Sequence, residues 1–114
     1  MITVDLAAAL ICFAGACHPA LVGDSTPSGT YQVTLRPVAA PGYGGDVLHF
    51  HEDARYLYAI HRTWAGREKL YSKPARDRRH VTKGCINVQP ETYRALVAYV
   101  AGGDSTVEIK EKSR

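Results

Sequence analysis

The segment RRHVTKGCINVQPETYRAL, residues 78–96, carries the pattern on which the fold assignment rests. A cationic stretch leads to Gly84 and Cys85, apolar residues then alternate with polar ones, and Pro90 stands where a helix can begin. The alternation places Cys85 and Asn87 on one side of a short strand and their apolar neighbours on the other. The segment therefore predicts a strand that presents a cysteine, followed by a helix.

The composition bounds the class of protein. With 114 residues and 46% hydrophobic content, the chain fits one domain, residues 1–114, and we expect a monomer. The formal net charge is +3, and the cationic excess is concentrated in residues 62–83, which favours an anionic ligand. No helix-turn-helix, zinc-finger or RNP-like pattern accompanies these cations, so nucleic acid is not an expected partner. No apolar run has the length of a membrane span.

Strand-like alternation and turn-forming residues organise the rest of the chain. Strands are predicted at residues 2–6, 9–13, 31–35, 47–51, 56–61 and 106–110, with a return strand reaching residues 21–22. Residues 36–46, rich in Pro and Gly, and the cationic residues 62–83 are predicted as long loops. One helix begins near Pro90 and stops at Gly102 and Gly103. The fold class is mostly β, with one helix after the cysteine.

The three cysteines differ in their surroundings. Cys12 and Cys17 flank a predicted hairpin, where either buried thiols or a cross-strand disulfide is the ordinary outcome. Cys85 lies near the cations of residues 78–83, which would stabilise a thiolate and lower its pKa, and Gly84 leaves room for a close approach. A buried core thiol is the alternative for Cys85.

A nucleophilic thiol needs a histidine to take its proton. His61 ends a predicted strand directly before a loop, where a rigid element can hold an imidazole over a site. His49 and His51 share one face of another strand, so a zinc site that also uses Cys85 is an alternative. His80 lies in an arginine-flanked loop, where a solvated side chain is the ordinary interpretation.

Several segments resemble one family in the same order along the chain. STPSGTYQV, YAIH, TKGCINV and GGDSTVEI are similar to the L,D-transpeptidase catalytic domain with its YkuD-like fold, and GCINVQP is similar to the mycobacterial branch. The resemblance covers nearly the whole chain. It implies a β-sandwich with no cofactor or metal, whose cysteine attacks peptidoglycan stem peptides and is acylated by carbapenems.

The resemblance also implies roles for individual residues. Cys85 would be the nucleophile, His61 the base oriented by the backbone carbonyl of Arg62, and the amides of Gly84 and Cys85 the oxyanion hole. Tyr43 would help to line that hole. The remaining predicted substrate contacts are Trp64, His80, Lys83 and Asn87.

The sequence departs from the family pattern at Lys83. The family signature has histidine two residues before the cysteine, as in SHGC, whereas this chain has TKGC. Lysine keeps a positive charge there but cannot act as a neutral imidazole. We expect His80 to substitute for that histidine in space. The interval from His61 to Thr82 is also longer than usual, which predicts an enlarged cationic lid.

The expected activity is transfer of an acyl group from a tetrapeptide stem to an amine, giving a cross-link or an exchanged D-amino acid, or to water, as in an L,D-carboxypeptidase. The expected location is the cell envelope or periplasm, although residues 1–20 contain Asp5 and no basic start, and are interpreted as strands rather than as a signal peptide. Wall remodelling and antibacterial attack on a competitor's wall both fit. An inactive wall-binding relative is the alternative that Lys83 suggests.

Overall fold

Short strands dominate the computed structural model, which describes residues 1–111. Within them the strands are β1 (Ile2–Asp5), β2 (Leu10–Phe13), β3 (Ala16–Leu21), β4 (Gly29–Gln32), β5 (Thr34–Pro37), β6 (Asp46–Glu52), β7 (Leu57–Arg62), β8 (Ile86–Val88) and β9 (Thr106–Lys110). The helices are a 3-10 helix (Glu68–Ser72), α1 (Ala75–Arg78) and α2 (Pro90–Ala101). The prediction of a mostly β fold is confirmed.

The strands form a sheet that folds over at β3 into a sandwich. Their order is β4-β9-β1-β2-β3-β8-β7-β6-β5. The first four residues of β3 pair with β2, and its last two, Ala20 and Leu21, pair with β8. Buried side chains from both halves, such as Ile11 and Ile60, belong to one core cluster. Full burial of such a side chain contributes roughly 2 kcal/mol relative to exposure.

The central pair β7 and β8 positions the candidate site. These strands run parallel, with Ile60 opposite Ile86 and His61 opposite Asn87. Ile60 and Ile86 are buried in the core, as the alternation predicts. Cys85 directly precedes β8, so the cysteine and the histidine arise from neighbouring strands.

Helix α2 closes over β7. It begins at Pro90, where the missing N–H costs no helical hydrogen bond, and it buries Tyr93 and Leu96. The amide of Gly102 donates to the carbonyl of Ala98 at 3.1 Å and ends the helix. The predicted helix is confirmed at both ends. No helix within residues 1–111 combines the length and apolar character needed to cross a membrane.

The single strand predicted at residues 31–35 is wrong. Val33 separates β4 from β5, its side chain is buried, and its amide donates to the carbonyl of Ser105 at 2.7 Å. The chain passes there from the neighbour of β9 to the neighbour of β6. The loop predicted at residues 36–46 is correspondingly shorter, because β5 continues to Pro37 and β6 begins at Asp46.

The second predicted loop, residues 62–83, is partly helical. It contains the 3-10 helix and α1, which starts after Pro74 and was missed by the prediction of one helix. Arg78 at the end of α1 is buried, and its guanidinium donates to the carbonyls of Ala8 and Ala9 at 3.0 and 3.1 Å. A buried guanidinium needs such acceptors. This arginine therefore holds the loop against the β1–β2 turn.

Cys12 and Cys17 form a disulfide across the β2–β3 hairpin. This is one of the two outcomes that the sequence left open. Cys85 remains a free thiol.

Candidate active site

A cavity of about 320 Å³ opens beside β7 and β8. Seven of the nine predicted site residues line it: Tyr43, His61, Trp64, Lys83, Gly84, Cys85 and Asn87. The backbone carbonyl of Arg62 reaches the site through His61. His80 is not among the lining residues.

Cys85 is a partly buried free thiol. Its Sγ donates to the carbonyl of Leu57 at 3.6 Å. Burial raises the pKa of Cys85 above its usual 9.0, and a hydrogen bond from the Ala59 backbone opposes this only in part. The prediction that nearby cations lower this pKa is wrong. Arg78 and Arg79 precede Cys85 by only a few residues but direct their guanidinium groups to the carbonyls of the β1–β2 turn.

His61 is buried, and its ring is fixed on one side by the backbone. Nδ1 lies 2.8 Å from the carbonyl oxygen of Arg62, which can only accept, so Nδ1 carries the proton. Burial lowers the pKa of His61 below 6.5. The hydrogen bond to Arg62 opposes this shift, and the positive charge on Arg67 adds to it. A neutral imidazole at neutral pH is the form that a general base requires.

Asn87 and Arg67 complete the polar side of the cavity. Asn87 Nδ2 lies 3.2 Å from His61 Nε2, and its Oδ1 accepts from Arg67 Nη1 at 2.9 Å. Asn87 is fully buried, and its side-chain hydrogen bonds are with the imidazole of His61 and the guanidinium of Arg67. The sequence indicated Arg67 only as one member of a cationic stretch.

Two aromatic rings cover His61. The ring of Tyr43 lies edge-on to the imidazole with centroids 4.8 Å apart, and Trp64 packs edge-on against Tyr43 at 5.4 Å. Burial raises the pKa of Tyr43, and the proximity of Cys85 raises it further. These rings shield the imidazole from water.

The side chain of Arg62 braces the loop that carries Tyr43. Its Nη1 lies 3.0 Å from an Asp46 carboxylate oxygen and donates to the Tyr43 carbonyl at 3.1 Å. The guanidinium also lies over the ring of Tyr93 in α2, 4.3 Å from the centroid. Gly44 fits beside it with a φ of +79°, where a Cβ would stand 2.8 Å from Arg62 Nη1.

Two threonines fix the backbone around the cysteine. Thr26 Oγ1 donates to the carbonyl of Gly84 at 2.9 Å, and Thr82 Oγ1 donates to the carbonyl of Cys85 at 2.6 Å. The ring of Tyr58 occupies the space in which a side chain on Gly84 would lie. The peptide units on either side of Cys85 are therefore held in defined orientations.

Lys83 and His80, the two remaining basic residues of the prediction, lie in different surroundings. Lys83 lines the cavity. His80 is exposed, and its Nδ1 lies 2.5 Å from a carboxylate oxygen of Asp24.

The residues of the alternative zinc site do not meet. Within residues 1–111, no three His, Cys, Asp or Glu side chains come together in a group that could hold a metal ion. His49 pairs with Glu52 at 3.3 Å, whereas His51 packs on the rings of Tyr31 and Tyr58. An irregularity in the β6–β7 register between the two histidines accompanies this divergence.

Comparisons with known proteins agree with this fold. The family model of the L,D-transpeptidase catalytic domain, YkuD, matches residues 4–109, so the chain belongs to that family. A solved structure of Bdellovibrio bacteriovorus Bd1075 is similar, with a TM-score of 0.63 and 17% sequence identity. The match covers 96% of this chain and 47% of that one, so this chain spans about half the length of that protein. No curated protein matches significantly.

Proposed function

We propose that this protein is a cysteine-dependent L,D-transpeptidase that acts on peptidoglycan tetrapeptide stems in the cell envelope. One observation carries the proposal: Cys85 and His61 line one cavity, and the Arg62 carbonyl occupies Nδ1, which leaves Nε2 as the imidazole nitrogen able to take the thiol proton. Family membership supports the same chemistry.

Acylation begins from a neutral pair, because the pKa of Cys85 is raised and that of His61 is lowered. As Cys85 Sγ attacks the carbonyl carbon of the third stem residue, its proton passes to His61 Nε2. Collapse of the tetrahedral intermediate breaks the amide bond to the terminal D-alanine. His61 gives its proton to the departing amine, and a thioester remains on Cys85.

The negative oxygen of the tetrahedral intermediate requires donors. The backbone amides of Gly84 and Cys85 are the proposed donors, and the contact from Thr26 to the Gly84 carbonyl fixes the peptide unit that contains the Cys85 amide. Tyr43 stands over His61 and is the proposed phenolic contact at the same position.

The charge of the cavity suits a substrate with free carboxylates. Arg67 and Lys83 line it, and none of the described lining residues is Asp or Glu. Tetrapeptide stems carry carboxylates, which the Lys83 ammonium attracts, whereas the Arg67 guanidinium is engaged with Asn87. Tyr43, Trp64 and Asn87 are the proposed neutral contacts. His80 would contact substrate only beyond the cavity wall, as part of the surrounding surface.

Deacylation completes the reaction. An amine acceptor attacks the thioester and gives its proton to His61, the bond to Cys85 Sγ breaks, and His61 returns the proton to that sulfur. The product is a cross-link or an exchanged D-amino acid. Water in the same position gives a tripeptide, the L,D-carboxypeptidase outcome. A carbapenem would be opened by Cys85 in the same way, with its ring amide as the bond that breaks.

Mass spectrometry of tetrapeptide muropeptides incubated with the protein and a D-amino acid tests this proposal. We expect loss or exchange of D-alanine with the wild type and neither product with Cys85→Ala or His61→Ala. The double variant Cys12→Ser/Cys17→Ser keeps only Cys85 as a thiol and serves as the matched control that should retain activity. Equal product from wild type and Cys85→Ala would refute the mechanism.

A further inference from the structure

The side chain of Arg67 reaches from the loop after β7 to the buried amide of Asn87. Its Nη1 donates to Asn87 Oδ1 at 2.9 Å, while the guanidinium lies over the ring of Trp64, 5.3 Å from the centroid. A guanidinium can only donate, so the atom of Asn87 that faces it must be the carbonyl oxygen. This contact fixes which way the amide points.

The orientation of Asn87 sets the protonation of His61. With Oδ1 turned to Arg67, the amide nitrogen faces His61 Nε2 at 3.2 Å. That nitrogen can only donate, so Nε2 must accept with its lone pair. The ring proton then belongs on Nδ1, where the carbonyl of Arg62 receives it. Each hydrogen bond in this series requires the next.

The same series gives the thiol and the imidazole separate hydrogen-bond partners. Cys85 Sγ donates to the carbonyl of Leu57, and the lone pair of His61 Nε2 is occupied by Asn87. The thiol and the amide therefore compete for a single acceptor. Asn87 must yield or share Nε2 when the thiol gives up its proton.

We propose that Arg67 is a positioning residue, which holds the Asn87 amide so that the base nitrogen of His61 stays unprotonated and ready for the Cys85 proton. The role of this positioning in catalysis rests on the proposed function, whereas the predicted His61 tautomer rests only on the hydrogen bonds. The charge on Arg67 acts in the same direction, because it lowers the pKa of His61. The other titratable groups along the cavity wall are Tyr43, Tyr56, Tyr58, Lys83 and Cys85.

Nitrogen-15 NMR of the histidine rings in the substrate-free protein tests the tautomer directly. We expect the wild type to show a protonated Nδ1 and a bare Nε2 at neutral pH. Arg67→Ala frees the amide to turn, so a form protonated on Nε2 should appear. Arg67→Lys keeps a donor and a charge and should restore the wild-type tautomer. Lys69→Ala, which removes an exposed cation of the same loop, is the matched control.

Asn87→Asp tests the same geometry without altering Arg67. A carboxylate can only accept, so it should draw a proton onto Nε2 and give a doubly protonated ring at neutral pH. This variant keeps the size of the side chain, and it leaves the proposal testable if Arg67→Ala does not fold. A bare Nε2 in Asn87→Asp would overturn the proposal.

Kinetics separate positioning from substrate binding. For Arg67→Ala we expect kcat for D-alanine release to fall about tenfold, with KM changed much less, because the loss acts through the base. A rise in KM with an unchanged tautomer would mean that Arg67 binds substrate, and the proposal would be wrong. If the tautomer changes as expected but the wild type releases no D-alanine, the positioning role stands and the proposed function fails.

Discussion

Gly84 lies against the ring of Tyr58 so closely that a Cβ on Gly84 would stand 2.4 Å from a ring carbon. The glycine next to Cys85 is therefore required by packing. Tyr58 cannot easily move aside, because it is buried and its hydroxyl donates to an Asp53 carboxylate at 3.1 Å.

Gly84→Ala should thus destabilise the fold by about 1–3 kcal/mol, the usual cost of overpacking a core, and should displace Cys85. Urea unfolding checks the stability, and D-alanine release checks the site. Gly102→Ala is the control, because a Cβ there would stand 3.3 Å from the Tyr99 carbonyl oxygen and 3.6 Å from that of Ala98. An unfolding midpoint equal to that of the wild type would show that the Tyr58 contact does not constrain this position.

Alkylation of Cys85 should follow a raised thiol pKa. Burial favours the neutral thiol, so little thiolate exists at pH 7, and the rate with iodoacetamide should rise with pH to a midpoint above 9.0. Mass spectrometry at a series of pH values measures this rate. The unfolded protein in urea provides the reference and should react faster at pH 7. A midpoint below 9.0 in the folded protein would mean that the cations control the thiol after all.

This pKa illustrates what a sequence cannot provide. Arg78 and Arg79 lie within seven positions of Cys85, yet their guanidinium groups point to the β1–β2 turn, so proximity along the chain does not amount to an electrostatic contact. Arg67 is 20 positions from Asn87 and touches it directly. The partners of these arginines depend on how residues 62–83 fold, which no local pattern specifies.

Elements with local signals were predictable. Helix α2 has Pro90 at its start and Gly102 after its end, and the alternation around Asn87 is visible within a few residues. The division between β4 and β5 was not predictable, because it depends on a hydrogen bond from the amide of Val33 to the carbonyl of Ser105, which is distant in sequence. The bound partner of His61 Nδ1 was predicted from the family resemblance, since Arg62 is its immediate neighbour.

The stability of the protein should fall in mild acid because of His61. Its pKa in the folded state lies below 6.5, so the unfolded chain binds more protons as the pH drops through 6.5, and the free energy of unfolding decreases. The slope from one such group is at most about 1.4 kcal/mol per pH unit. His49, whose pKa is also lowered, contributes in the same direction.

Urea unfolding between pH 8 and pH 5 measures this dependence. His61→Asn should flatten the curve relative to wild type, because it removes the imidazole whose pKa is lowered by burial. Parallel curves for wild type and His61→Asn would contradict the assignment of the effect to His61.

Arg62→Lys should reduce catalysis as well as stability. Lysine keeps the charge but cannot at once reach Asp46, donate to the Tyr43 carbonyl and cover Tyr93 as the guanidinium does. Losing one charged hydrogen bond, about 1.5–3 kcal/mol, would loosen the Tyr43 loop and lower kcat/KM at least about tenfold. Arg94→Lys on the exposed face of α2 is the control. Equal kcat/KM values for both variants and wild type would mean that the contacts of the Arg62 side chain do not affect the site.

The Cys12–Cys17 disulfide should contribute to stability without affecting the reaction. It closes a short segment, with a sequence separation of 5, and chain-entropy arguments give about 2 kcal/mol for such a loop. It joins β2 to β3 at their hairpin end, and neither cysteine lines the cavity that contains Cys85.

Cys12→Ser/Cys17→Ser should therefore unfold at lower urea concentration and retain the wild-type rate of D-alanine release. A reductant should lower the stability of the wild type to that of the double variant and leave the variant itself unaffected. A large loss of activity in the folded double variant would show that the disulfide supports the site as well as the hairpin.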